Sequence, residues 1–213
     1  MDKNVLRDLS YGLYAIGTLL DGKKAGCIVN TVFQVTSENP MICISMNKNN
    51  ATHEGIRQTG RFTAAILSEQ ADPSVIGTLG FHSSRDTDKF GALPHEMAGD
   101  LPVITQGTSG YLVCQVVSFT DAETHSLILA RVMDAVSTEK AVPMTYRYYH
   151  EVVKGKAPKN APTYVEEETA APTEEVWVCD VCGYEYHGDL TREPADFRCP
   201  MCRVDKSHFR KKV

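Results

Sequence analysis

No run in this sequence approaches the roughly 18 apolar residues that a membrane-crossing helix needs, and the N-terminus MDKNVLRDLS lacks the apolar stretch of a secretory signal. No membrane partner is expected, and the chain reads as soluble and cytoplasmic. Clusters of Lys and Arg are missing too. With 22 basic residues against 27 acidic ones and a formal net charge of -5, the electrostatic footprint of a nucleic-acid binder is absent. There is no G-x-G-x-x-G or Walker loop and no internal repeat. The seven cysteines are not spread as a disulfide framework. Cys27, Cys43 and Cys114 stand singly in apolar segments, as small buried hydrophobes do, and the remaining cysteines form two C-x-x-C pairs, which in a reducing compartment read as metal ligands.

A composition shift divides the chain. Residues 164–175, YVEEETAAPTEE, carry five Glu, no basic residue and almost nothing to bury, which predicts a self-repelling flexible tether. The preceding KGKAPKNAPTY contains prolines that argue against a helix or central strand. The expected units are a domain over 1–163, the acidic linker 164–175 and a small domain over 176–213. The small unit lies below the roughly 40 residues at which a hydrophobic core suffices, so a metal must supply much of its folding free energy.

The large unit reads as mostly β. YGLYAIGTLL and AGCIVNTVFQVTS are strand-like runs around an Asp21-Gly22 hairpin turn, and PMICISMN is a third. NNATHEGIRQTG predicts a short helix with Asn50 or Thr52 as N-cap and Gly60 as its stop. RFTAAIL is again a strand. DPSVIGTLGF begins with Asp72 and Pro73 at N-cap and first-turn positions, which predicts a second short helix. GYLVCQVVSFTDAETHSLILARVMDAVS gives two long strands around a turn near Asp121–Thr124. Many strands with a few short helices predict a barrel with inserted helices. Asn30 and Thr31 interrupt an apolar strand, and Ser45-Met46-Asn47 ends another just before a helix. Polar groups so placed need partners, which suits a ligand edge as well as turn formation, and helix-start N–H groups beside Lys48 would seat a phosphate.

In the small unit the cysteine pairs are sixteen residues apart, in CDVCGYEYHGDLTREPADFRCPMC. A tetrahedral four-thiolate site suits zinc or iron, and the spacing by itself favours a zinc ribbon. Trp177, Tyr184, Tyr186, Phe197 and Phe209 can exclude water from the metal, and with the Cys-Pro-x-Cys half they favour iron. A Gly after the second Cys of each pair allows the left-handed turn that aims N–H groups at sulfur. Gly183 meets this need, and Arg203 occupies the equivalent place after Cys202.

The run WVCDVCGYEY together with FRCPMCRVDKSHF resembles rubredoxin, in Gly183, Tyr184, Pro200, Lys206 and Phe209 as well as the cysteines. It departs from it in Arg203 and in a shorter spacer. The resemblance implies that Cys179, Cys182, Cys199 and Cys202 bind one iron that shuttles a single electron. Over the large unit, G-x-x-x-N-T-x-x-Q-V-T-x-x-x-P, I-S-M-N-K-x-N-x-T-x-x-x-I, DTDKF (86–90) and THSLILARV (124–132) resemble the flavin reductase family with the FMN-binding split barrel, the group that includes flavoredoxin. That resemblance implies FMN at a homodimer interface and hydride from NADH or NADPH. Asn30, Thr31 and Val32 would line the flavin ring, Ser45, Met46 and Asn47 would follow beside the ring and ribityl chain, and Lys48, Asn50 and Thr52 would hold the phosphate.

His125 matches a family His on the nicotinamide side of the flavin, with Thr124 and Ala130 where the family has an acid and a glycine. Its alternative reading is a partly exposed strand His beside a turn. Together the resemblances imply an NAD(P)H-dependent oxidoreductase that passes electrons through FMN to iron and on to an acceptor such as a flavodiiron oxygen or nitric oxide reductase. Two other readings stand beside it: a flavin reductase releasing free reduced FMN, and a flavin-domain protein with a structural zinc ribbon for binding a partner.

Overall fold

The computed structural model describes residues 3–153 and 176–212. The acidic segment 164–175 and the expected domain boundary at residue 163 lie outside the described residues. A 3-10 turn, Lys3–Asp8, leads into a hairpin of β1 (Tyr14–Leu20) and β2 (Lys23–Val29). Its turn residues Asp21 and Gly22 both take positive φ, 51° and 73°, matching the right-handed twist of the two strands. β3 (Val32–Thr36) and β4 (Met41–Asn47) follow, then α1 (Ala51–Thr59) and β5 (Arg61–Leu67). α2 (Pro73–Phe81), the short pair β6 (Glu96–Ala98) and β7 (Leu101–Val103), the long strands β8 (Thr108–Ala122) and β9 (His125–Ser137), and α3 (Tyr146–Glu151) complete the large unit.

Seven strands form one sheet in the order β2-β1-β5-β8-β9-β4-β3. The two edge strands, β2 and β3, are consecutive in sequence and joined by Asn30 and Thr31 alone, so the sheet has to curl until its edges meet. The run 25–37, expected as one strand, is thus two strands on opposite edges. The break falls at the polar pair, where Thr31 Oγ1 donates to Asn30 Oδ1 at 3.0 Å. Inside the curl, Ile16, Ile44, Ile56, Phe62 and Ile128 are fully buried.

The helices α1 and α2 start where local chemistry directs. The Asn50 side chain caps α1 by accepting from the Thr52 N–H, and Gly60 ends it at φ 66°. The Asp72 side chain accepts from the Ser74 N–H, with Pro73 in the first turn of α2. Among the described residues no helix is long and apolar enough to cross a membrane.

The small unit is a three-stranded sheet, β11-β10-β12, built from β10 (Val176–Cys179), β11 (Glu185–His187) and β12 (Phe209–Lys211). Its buried residues join those of α2 in one continuous apolar cluster.

Candidate functional site

The four cysteines of the small unit converge. Cys179 and Cys202 Sγ lie 3.6 Å apart, Cys182 and Cys199 Sγ 3.5 Å apart, and all four sulfurs lie within 4.8 Å of one another. A metal with four bonds of about 2.3 Å to sulfur has tetrahedron edges of about 3.8 Å, so the donor set fits one mononuclear ion. Each thiol is buried, and four thiolates so close need a cation among them.

The two C-x-x-C loops repeat one geometry. Gly183 N–H donates to Cys179 O at 2.8 Å and Arg203 N–H to Cys199 O at 2.9 Å. Cys179 N–H and Cys199 N–H in turn reach Tyr184 O and Val204 O at 2.9 and 2.8 Å. The N–H groups of Tyr184 and Val204 point at Cys182 and Cys202 sulfur, and those of Cys182 and Cys202 at Cys179 and Cys199 sulfur. The turn needs a residue of positive φ, and Arg203 supplies it at 64° beside 74° for Gly183. The left-handed turn is therefore kept with a side chain in place, at about 1–2 kcal/mol. The aromatic shell is present: Phe197 meets Tyr186 and Phe209 edge to face, with centroids 5.6 and 5.8 Å apart.

In the barrel, the structure gathers most of the expected flavin residues along one edge. Ser45 N–H donates to Thr31 O at 3.2 Å, which joins the β2–β3 seam to β4. The Asn30 side chain is buried beside Thr31, and Val32 is half-buried at the start of β3. Asn47, the last residue of β4, is paired directly with His125, the first of β9, and Ser45 with Leu127. Strand alternation puts Ser45, Asn47 and His125 on the outer face. Met46 points the other way and is 1 % exposed, so its side chain belongs to the barrel core and only its backbone can face a ligand at this edge. His125 Nδ1 lies 2.9 Å from Thr124 Oγ1.

The helix start has its own arrangement. Lys48 N–H donates to Thr124 O at 3.0 Å, and its ammonium pairs with Asp121, whose carboxyl is held below the usual range by that contact. The Asn50 side chain is spent on capping. Thr52 is fully buried, and its hydroxyl, set beside the Cys27 thiol, makes no well-formed hydrogen bond among the described residues. These residues fit a phosphate-bearing ligand, with Lys48 supplying charge and Thr52 a hydroxyl.

Two residues of the loop after α2 pack against the barrel without having been singled out from the sequence. Arg85 donates to Asn49 O at 3.1 Å and to Glu54 Oε2 at 2.9 Å, beside the start of α1. Lys89 is 2 % exposed and donates to Gly26 O at 2.8 Å and Leu79 O at 2.9 Å, which ties β2 to α2. Burial pushes its pKa down to about 8. The DTDKF run was the available signal for Lys89, but nothing local shows that a lysine there turns inward.

Both units have relatives among known proteins. Residues 6–156 match the "Flavin reductase like domain" model, and residues 177–210 match the "Rubrerythrin, rubredoxin-like domain" model. The chain is 36% identical over 226 residues to the "High molecular weight rubredoxin" of Moorella thermoacetica, covering 98% of this chain and 99% of that protein. It is 34% identical over 167 residues to the "Ferric-chelate reductase (NAD(P)H)" of Archaeoglobus fulgidus, covering 78% of this chain and 99% of the relative. Among solved structures, flavoredoxin from Methanosarcina acetivorans shares the fold at a TM-score of 0.59 and 20% identity, over 77% of this chain and 89% of that one. The mainly β barrel is thus the FMN-binding split barrel. Its family implies FMN, and the four-cysteine cluster of the rubredoxin-like domain implies a mononuclear iron. The chain belongs to the flavin reductase-like family and carries a C-terminal rubredoxin-like domain.

Proposed function

We propose that this oxidoreductase takes electrons from NADH or NADPH at the outer edge of the barrel and delivers them, through the rubredoxin-type iron, to an acceptor protein. The observation that carries the reading is a four-thiolate centre packed in the same chain against a flavin-type barrel. A nicotinamide gives two electrons at once and such an iron takes one, while FMN accepts a pair and releases it singly. The protein residues bind and orient. Asn30, Thr31, Val32, Ser45, the Met46 backbone and Asn47 border the ring and ribityl chain, Lys48, Asn50 and Thr52 border the phosphate, and His125 stands beside Asn47 where the nicotinamide would approach.

NAD(P)H as donor draws on the activity for which the Archaeoglobus relative is named. The acceptor we assign is a flavodiiron-type reductase of oxygen or nitric oxide, on the resemblance to flavin reductase and rubredoxin fusions. A homodimer fits the apolar outer face, where Phe33 is 53 % and Met133 62 % exposed. The domain limits we propose are 1–163 and 176–213 with 164–175 as a tether, and the four thiols suit a reducing cytoplasm.

Anaerobic stopped-flow mixing of the loaded protein with NADH or NADPH tests the route. Flavin absorbance is expected to bleach first and ferric-thiolate absorbance second. In Cys199→Ser the flavin step should persist while onward transfer disappears. Inertness to both nucleotides would overturn the donor assignment, and loss of both steps in Cys199→Ser would make the small domain structural. A second reading, release of free reduced FMN, rests on the flavin reductase-like domain alone. Retention of FMN through gel filtration counts against it.

A further inference from the structure

The second cysteine pair is covered from outside its own domain. Met201, between Cys199 and Cys202, is 4 % exposed, and its carbonyl faces α2. A β-carbon added to Gly77 would lie 1.6 Å from Met201 O, 2.5 Å from its carbonyl carbon and 2.9 Å from Cys202 Cα. The obstacle is backbone, which cannot swing aside as a side-chain tip can. Gly80, three residues on in the same helix, differs: a β-carbon there would sit 3.6 Å from Ile28 Cγ1, in ordinary contact.

Glycine within a helix costs about 1 kcal/mol relative to alanine. At Gly80 the surroundings would admit alanine, whereas at Gly77 the metal domain forbids it. Around that point Val75, Ile76 and Leu79 join Met201 and Cys202 in one apolar cluster. The Asp72 carboxyl at the head of α2 is held below its usual range by the Ser74 contacts, with a smaller contribution from the charge of Arg203. On its other side the helix is fixed to the barrel by Lys89, through Leu79 O and Gly26 O.

We propose that the Gly77 face of α2 is a docking seat for the second cysteine pair of the same chain, and that an external acceptor protein must compete with it for that surface. While Met201 and Cys202 rest on α2, no other protein can approach the metal from that side. The metal domain therefore has a seated state, facing its own barrel, and an unseated state in which the cysteine loop is open to a partner. The seat depends on the bareness of one helical position rather than on a charged patch, so it is specific to a protruding backbone loop.

The full-length protein tests this without any variant. Ferric iron is paramagnetic and zinc is not, so the amide NMR signals of Ser74–Gly80 should broaden in the iron-loaded protein relative to the zinc-loaded one. Unchanged α2 signals would overturn the seat. Gly77→Ala should then abolish the broadening and speed amide exchange at Met201–Arg203 roughly tenfold, while FMN and metal remain bound. Gly80→Ala, with the same gain in helix propensity, should leave both readouts as in the wild type. Equal behaviour of the two alanine variants would also overturn the proposal, and if Gly77→Ala does not fold, the iron-against-zinc comparison still decides it.

Discussion

Asn47 and His125 face each other across β4 and β9, although 78 positions separate them in the sequence. The pairing sets the imidazole beside the β4 terminus to which the flavin is assigned. A residue that orients the nicotinamide without gripping FMN should affect rate rather than occupancy. His125→Gln is expected to slow nicotinamide-driven flavin reduction about tenfold, with FMN content unchanged. Stopped-flow absorbance and a flavin-to-protein ratio check this, and FMN loss in step with activity would assign His125 a binding role.

The Lys48 ammonium, held by Asp121, is the positive charge nearest the buried Thr52 hydroxyl in sequence. Lys48→Met should weaken FMN binding roughly tenfold to a hundredfold, or about 1.4–2.8 kcal/mol. Asp121→Asn removes the competing carboxylate and should bind FMN at least as tightly as the wild type. Flavin fluorescence titration of the apoprotein separates the outcomes, and weaker binding in Asp121→Asn would mean that the pair acts structurally.

Phe33 and Leu127 stand on one face of the sheet, through the pairings Phe33–Cys43, Cys43–Leu129 and Ser45–Leu127. If this face meets a second copy, a lysine at Phe33 buries a charge without a partner. Light scattering coupled to gel filtration should find Phe33→Lys at half the mass of the wild type, with reduced FMN retention because Ser45 and Asn47 share the face. A wild type that runs as a monomer refutes the dimer.

Arg203 holds the left-handed turn that glycine adopts freely. Arg203→Gly should stabilise the metal-loaded small domain by about 1 kcal/mol, the relieved strain being partly offset by the entropy of an added glycine. The guanidinium chloride midpoint for loss of ferric-thiolate absorbance measures it, and an unchanged midpoint would show that the turn stores no strain.

Lys89 carries a pH signature. Its pKa falls from 10.5 to about 8 on burial, so between those values the unfolded chain holds a proton that the folded one has released. Stability contributed by this group therefore rises with pH across that window and is lowest below it. The difference in unfolding free energy between wild type and Lys89→Met should grow by on the order of 3 kcal/mol across that range. Urea unfolding at a series of pH values reports it, and a flat difference would place the titration elsewhere.

What the sequence determined by itself is local chemistry. The convergence of the four cysteines was legible because two C-x-x-C pairs leave little freedom in which atoms meet. The caps Asn50 and Asp72, the stop at Gly60 and the Asp21-Gly22 turn were legible because each depends on neighbours within a few residues.

Tertiary structure decided what depends on distant pairing. Strand alternation turned Met46 inward and left Ser45 and Asn47 outside. Closure of the sheet split the run 25–37 at Asn30-Thr31, because the polar pair carries the chain from one edge to the other. Arg85 reached the start of α1 and Lys89 reached β2 only through packing of the loop after α2, and no local pattern encodes that. The seat at Gly77 is the clearest case: in sequence it is a glycine that weakens a helix, and only the approach of Met201 gives it a reason to be there.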